Sequence, residues 1–238
     1  MREEQCSLVL EWYNDLEERF LDFLKYIPLR KENFDVISPK LVSITVEACL
    51  VLDSLFRHFS SKYNVGKVSN KKESKLKITD YQMIYSKKLN LPTFKTLVMM
   101  TPAFYLTPFA PWGNTTIPNR KLSWWGIYNK LKHDRIANEQ CCTLNVALET
   151  LCGLHQSICR LPELCRGIVR HRWIEVEDYN IEALIEIVEG DSRDETFLGV
   201  TKLFASPIGS KPFPDKIEQL QPMYYRGNRR LSSFLGRM

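Results

Sequence analysis

Lys121-Leu-Ser-Trp-Trp-Gly-Ile-Tyr-Asn-Lys-Leu-Lys-His-Asp-Arg135 is the stretch on which the reading of this chain turns. It gathers two tryptophans, a tyrosine, an asparagine, a histidine and several cations into about four helical turns. Ser123 is an N-cap residue type, no proline follows, and Gly126 is the sole weak helix former. The pattern predicts a helix over Leu122–Arg135. Side chains three or four residues apart share a helical face. That spacing sets Trp125, Asn129 and His133 on one stripe and Tyr128, Lys132 and Arg135 on its neighbour. An imidazole beside an amide and cations is suited to holding a phosphate or moving a proton next to one.

Upstream, Glu3 to Tyr26 reads as an amphipathic helix. Leu8, Trp12, Leu16, Phe20 and Leu24 recur every four residues among acidic ones, and Pro28 ends it. Ser38-Pro39 offers an N-cap followed by proline at the first helical position, opening a second helix to about Phe59. Its Leu41, Thr45, Ala48, Leu52, Leu55 and Phe59 face inward. Apolar on more than one side, it is expected at the centre of the core. Downstream, Asn138 is placed to cap a long helix to about Arg160, with Leu144, Leu148, Leu151, Leu154 and Ile158 as core face and Pro162 as stop.

Between the second helix and the motif, Lys62–Arg120 changes character. Lys62, Lys67, Lys71, Lys72, Lys75 and Lys77 make a basic stretch, and a short helix follows over Thr79–Lys88. Pro92, Pro102, Pro108, Pro111 and Pro118 punctuate the rest. Phe94, Phe104, Tyr105, Phe109 and Trp112 predict an ordered insertion covering the helices rather than a solvated linker. After Pro162, Arg172–Glu177 and Thr196–Phe204 show the partial alternation of a strand pair around a short helix at Ile181–Val188. The acidic stretch Glu175–Asp194 reads as a solvated face. From Ser206 on, prolines and Arg226, Arg229, Arg230 and Arg237 predict an extended basic tail.

The 238 residues, 44% hydrophobic, are enough for one large domain or a domain with an appendage. A net charge of +5 argues against a nucleic-acid coat over the whole surface and leaves room for a local basic patch. The segment Met1–Cys6 is charged and lacks the cleavage pattern of a signal peptide, and no apolar run is long enough to span a bilayer. A cytoplasmic protein without a membrane partner is the expectation. Seven cysteines, with Cys141 and Cys142 adjacent and no Cys-x-x-Cys pair, read as buried free thiols. His58, His133, His155 and His171 are scattered without metal-ligand spacing, so neither metal nor cofactor is expected. Without a glycine-rich phosphate loop or a Gly-x-Ser-x-Gly elbow, ordinary nucleotide-hydrolase and serine-hydrolase readings fall away.

Two long helices, an insertion, a helix with a polar-x-x-x-His motif and a further long helix resemble the HEPN superfamily of all-helical domains. The run Trp124–Arg135 is similar to the motif helix of uncharacterised HEPN-like bacterial proteins. The resemblance covers Glu3–Arg160. The fold expected is mainly all-α, an antiparallel up-and-down helical bundle of Glu3–Tyr26, Pro39–Phe59, Leu122–Arg135 and Asn138–Arg160. Residues 1–160 would form that bundle with the basic, proline-rich insertion 62–120. Residues 161–205 would form a small α+β appendage and residues 206–238 the tail.

The active pattern of the family is an arginine, a polar residue, three variable residues and a histidine. Asn129 matches the polar position and His133 the histidine, whereas Tyr128 stands where the arginine belongs. The resemblance implies metal-independent RNA cleavage at a dimer interface. His133 would be the acid/base and Asn129 would orient it, with Lys132 or Arg135 on the phosphate in place of the arginine. Lys130 and Tyr128 complete the RNA-binding set, and Trp124 or Trp125 is the expected exposed anchor of a homodimer. Two functions compete. One is a HEPN-type endoribonuclease, a toxin or antiviral defence effector with an antitoxin or defence component as protein partner. The alternative is a non-catalytic RNA- or protein-binding HEPN-like module using the same basic face.

Overall fold

The helical periodicities of the sequence become eight described helices in the computed structural model, which describes residues 3–63, 71–113, 121–174, 182, 197–209, 212–220 and 229–237. They are α1 (Glu3–Leu24), α2 (Pro39–Tyr63), α3 (Ile78–Lys88), α4 (Ser123–His133), α5 (Arg135–Asn138), α6 (Leu144–Arg160), α7 (Cys165–Arg170) and α8 (Arg229–Leu235). Strands β1 (Thr96–Val98), β2 (Phe104–Leu106), β3 (Leu198–Val200) and β4 (Phe204–Pro207) pair antiparallel in the order β2-β1-β4-β3. The chain is thus mainly helical with a small four-stranded sheet. It divides into two compact units: Met1–Asn14, Phe94–Thr107 and His155–Met238 make one, and Asp15–Thr93 and Pro108–Leu154 the other.

In the helical unit, α2 buries Leu41, Thr45, Ala48, Leu52, Leu55 and Phe59, the face read from its spacing. Phe56 stacks on Tyr85 of α3 with ring centroids 4.4 Å apart, and Tyr81, Phe109 and Trp112 close around it. Such aromatic pairs add about 0.5–1.5 kcal/mol beyond their burial. The Trp124 indole donates to the Pro108 carbonyl at 3.1 Å. Its ring lies so close to α6 that a Cβ on Gly153 would meet Cζ2 at 3.1 Å, which explains a glycine within that helix.

Three helix readings need correction. Leu8 and Trp12 are 41% and 48% exposed, whereas Cys6, Val9, Leu10, Tyr13, Leu16, Phe20, Phe23 and Leu24 are buried. A strict four-residue repeat turns through about 400°, so it drifts off any one face of a helix with 3.6 residues per turn. The motif helix stops at His133, because Asp134 is extended and its Oδ1 accepts the Ala137 N–H at 3.0 Å, capping α5. α6 starts at Leu144, with Thr143 Oγ1 accepting the Val146 N–H at 3.4 Å. Asn138, expected as its cap, instead donates to the Asp134 carbonyl at 2.7 Å.

In the sheet unit, strand alternation sends Leu97, Leu198, Val200 and Ala205 into a cluster with Met99, Phe213, Leu220 and Leu231. Ser206 and Phe204, on the alternate positions, meet His155 of α6. Gly199 is required by close approach: a Cβ there would sit 2.4 Å from Cys159 Sγ. The insertion is therefore more than a cover, since it supplies β1 and β2 to the sheet that β3 and β4 complete. The expected strand over Thr196–Phe204 is in fact a hairpin turning at Thr201–Leu203. Arg172–Ile174 is turn rather than strand, and residues 175–177 lie outside the described residues. The expected helix at Ile181–Val188 and the acidic stretch also lie outside them, apart from Glu182. The segment after Ser206 is not simply extended, because Phe213, Leu220 and Leu231 are buried and α8 forms near its end.

All seven cysteines are free, and all but the half-buried Cys141 are buried. Among the described residues no helix is long and apolar enough to cross a membrane.

Candidate functional site

α4 sorts its side chains sharply. Leu122, Trp124, Trp125, Tyr128 and Leu131 are buried, whereas Asn129, Lys130, Lys132 and His133 are exposed. The apolar residues fall at three- and four-residue spacings, so the helix lays them against the core and leaves the polar motif in water. Asn129 and His133 stand one turn apart on that outer surface. Arg135, also exposed, follows on α5 after the Asp134 break.

Trp124 and Trp125 are 1% and 5% exposed, which corrects their expected role as an exposed dimer anchor. They belong to an aromatic chain in which Trp124 meets Phe109, and Trp125 meets Tyr81 and Tyr128. Tyr128 is 1% exposed, so it is a core side chain and its ring does not offer a stacking surface to RNA, a second correction. The large apolar side chain that does reach solvent here is Ile136, 91% exposed.

The cations differ in their surroundings. Lys132 Nζ lies over the Tyr128 ring, 5.7 Å from its centroid. Arg135 acts on the Glu47 carboxylate of α2. That carboxylate already accepts both Nη groups of Arg19, at 2.7 and 3.0 Å. The Arg19 hydrogen bonds, with Arg135 a smaller contributor, hold the Glu47 carboxyl below its usual range. Part of the Arg135 charge is thereby compensated, leaving Lys130 and Lys132 as the cations of the α4 face.

Beneath α4 lies a polar group that sequence reading passed over. Asp53 accepts from Tyr81 Oη at 2.8 Å and from Arg57 Nη2 at 2.6 Å. The buried Tyr128 hydroxyl makes no hydrogen bond, and its pKa is pushed up to about 12, first by burial and next by the Asp53 charge. The signal available was the Asp-x3-Arg spacing of Asp53 and Arg57, an ordinary helical ion pair. In the sheet unit, His155 is wholly buried. Its Nδ1 is 2.9 Å from Ser206 Oγ, which is 2.7 Å from Thr96 Oγ1, and its ring stacks on Trp173. Nε2 has no partner, so the tautomer protonated on Nδ1 and donating to Ser206 is favoured. Burial drops its pKa to about 3. Neutral and sealed from solvent, it packs among Tyr13, Trp173 and Phe204 within the sheet unit. Among the described residues no group of three His, Cys, Asp or Glu side chains is arranged to hold a metal ion.

Comparison with protein-family models, with curated proteins and with solved structures finds no match.

Proposed function

We propose that this protein acts on RNA through the outer face of α4, as a HEPN-like domain with Asn129 and His133 at its centre. The observation that carries the proposal is the sorting of α4: every aromatic of the motif is buried, whereas Asn129, Lys130, Lys132, His133 and the following Arg135 are presented to solvent. On this reading His133 is the acid/base for attack of a ribose 2′-hydroxyl on the adjacent phosphate, and Asn129 orients it. Lys132, held over Tyr128, and Lys130 neutralise the phosphate, with Arg135 at the edge. No cofactor is part of the proposal. The bundle arrangement of α1, α2, α4 and α6, a cytoplasmic setting, and a toxin or defence role with a protein partner all belong to it. So does a homodimer pairing two such faces. Ile136, rather than either tryptophan, is the apolar contact beside the face that such a dimer would bury.

A second reading is favoured by Tyr128. A buried, neutral phenol at the arginine position removes the bidentate phosphate clamp of the family pattern. That favours a module that binds RNA or protein without cutting. Incubation with end-labelled RNA and no added metal separates the two. Products with 2′,3′-cyclic phosphate ends, lost in His133→Ala, establish the enzyme. Salt-sensitive binding without products, retained in His133→Ala, establishes the module. Neither cleavage nor binding removes both RNA readings and leaves a protein-binding role.

A further inference from the structure

The lysine-rich segment that follows α2 is tied to α3 by one buried carboxylate. Asp80, 1% exposed, accepts Lys71 Nζ at 2.6 Å and the Lys77 N–H at 2.8 Å, which pins both ends of residues 71–77. Leu76, just before Lys77, is buried. Within the segment the Lys75 N–H donates to the Lys72 carbonyl at 2.8 Å and closes a single 3₁₀ turn over Glu73–Lys75. Residues three apart in such a turn eclipse one another about 6 Å apart along its axis, so Lys72 and Lys75 share one side. Glu73, the one acid between Lys71 and Lys77, falls a third of a turn away. Lys71 is neutralised by Asp80, whereas the exposed Lys72 and Lys75 form no ion pair among the described residues. Lys77 adds a third exposed cation.

This turn belongs to the same helical unit as α4. Tyr81, the residue after Asp80, meets Trp125 of α4 edge-on with ring centroids 6.5 Å apart. The path from Lys75 through Tyr81 and Trp125 to His133 bounds their separation at roughly 50 Å. At about 3.4 Å per nucleotide, a strand of roughly 15 nucleotides covers that distance. Ammonium groups on flexible stems meet backbone phosphates as point charges and ask for no particular base. A pinned turn that presents two such groups side by side suits a continuous phosphate backbone. We propose that Lys72 and Lys75, with Lys77 beside them, hold the backbone of the same single-stranded RNA that the α4 face engages. The substrate class is then a strand long enough to reach both surfaces, not a di- or trinucleotide. This inference rests on the α4 reading and extends it.

Titration of the full chain with a labelled 20-nucleotide single strand across a salt series tests it. Each neutralised phosphate contributes about −0.7 to the log–log slope, so Lys72→Ala with Lys75→Ala should reduce its magnitude by about 1.4. Both side chains are exposed and outside the α-helices, and the Lys71–Asp80 pair is untouched, so the variant leaves no buried group unpaired. Adding Lys130→Ala and Lys132→Ala should bring the reduction to about 2.8, with one strand bound per chain. From a 4-mer to a 20-mer, the unaltered chain should gain more affinity than the Lys72→Ala, Lys75→Ala variant does. An unchanged slope for that variant, while Lys130→Ala with Lys132→Ala still lowers it, would overturn the extension and leave the α4 reading standing. So would two strands bound per chain. A slope that responds to Lys72 and Lys75 and not to Lys130 and Lys132 would overturn the α4 reading and this extension with it. Absence of binding at low salt would overturn both.

Discussion

Replacing Gly199 by alanine probes the packing of β3 on α6. An added Cβ would lie 2.4 Å from Cys159 Sγ, 3.6 Å from Ile208 Cδ1 and 3.7 Å from Trp173 Cε3. The last two are ordinary contacts, so the whole conflict is with one sulfur atom. Cys159 is 1% exposed and cannot swing into solvent. Overpacking of this kind costs about 1–3 kcal/mol, and removing a glycine from a strand returns about 0.5–1 kcal/mol. The net expectation for Gly199→Ala is a loss of about 1–2 kcal/mol in urea denaturation. Cys159→Ala removes the sulfur and opens the space the new methyl needs. The double variant should therefore be more stable than the sum of the single losses by about 1 kcal/mol. Additivity within about 0.5 kcal/mol would refute the contact as the reason for glycine here.

His155 gives the sheet unit a pH dependence. Its folded pKa of about 3 lies below the unfolded value of about 6.5, so the unfolded chain binds more protons between those limits and stability falls as pH falls. The loss from this group should reach about 2 kcal/mol at pH 5. Urea midpoints across pH 5–7.5 for the unaltered chain and His155→Gln measure it, and equal pH slopes for the two would exclude it. Trp124→Ala should cost about 3–5 kcal/mol, because it empties a buried indole site and leaves the Pro108 carbonyl without its donor; thermal denaturation reads this directly. Asp134→Ala removes the α5 cap, worth about 0.5–2 kcal/mol, and should speed hydrogen exchange at the Ala137 amide while α4 amides stay protected.

The long helices were legible where two independent signals coincided. Ser38-Pro39 marks the start of α2, and its inward face repeats at mixed three- and four-residue steps, so its core positions could be named in advance. On α1 a run of fours looked equally regular, yet Leu8 and Trp12 lie outside the buried arc. β1 and β2 are three residues each, too short for alternation to register, and β4, which pairs with β1 on the side away from β2, lies about a hundred residues away in sequence. Local pattern carries no trace of such pairing. In the candidate site, the stripes read from spacing joined Asn129 and His133 to the buried Trp125 and Lys132 to the buried Tyr128, so only the one-turn separation of Asn129 and His133 followed from helical geometry. The break at Asp134 did not, because aspartate is tolerated inside a helix and its capping role shows only once Ala137 is seen to donate to it. The burial of Trp124, Trp125 and Tyr128 fits three bulky residues at helical spacing, and it displaces the exposed anchor that the dimer reading asked of the tryptophans.

The measurement closest to the central proposal is the salt dependence of RNA binding by the α4 face. Single-stranded RNA binding should weaken with salt at a log–log slope of about −0.7 per neutralised phosphate. Lys130→Ala with Lys132→Ala, both exposed and both at the site, should weaken binding and reduce the magnitude of that slope by about 1.4. Lys87→Ala with Lys88→Ala, an exposed pair at the end of α3, should change neither. Equal slopes for the two double variants, or no RNA binding at low salt, would contradict an RNA-directed face on α4.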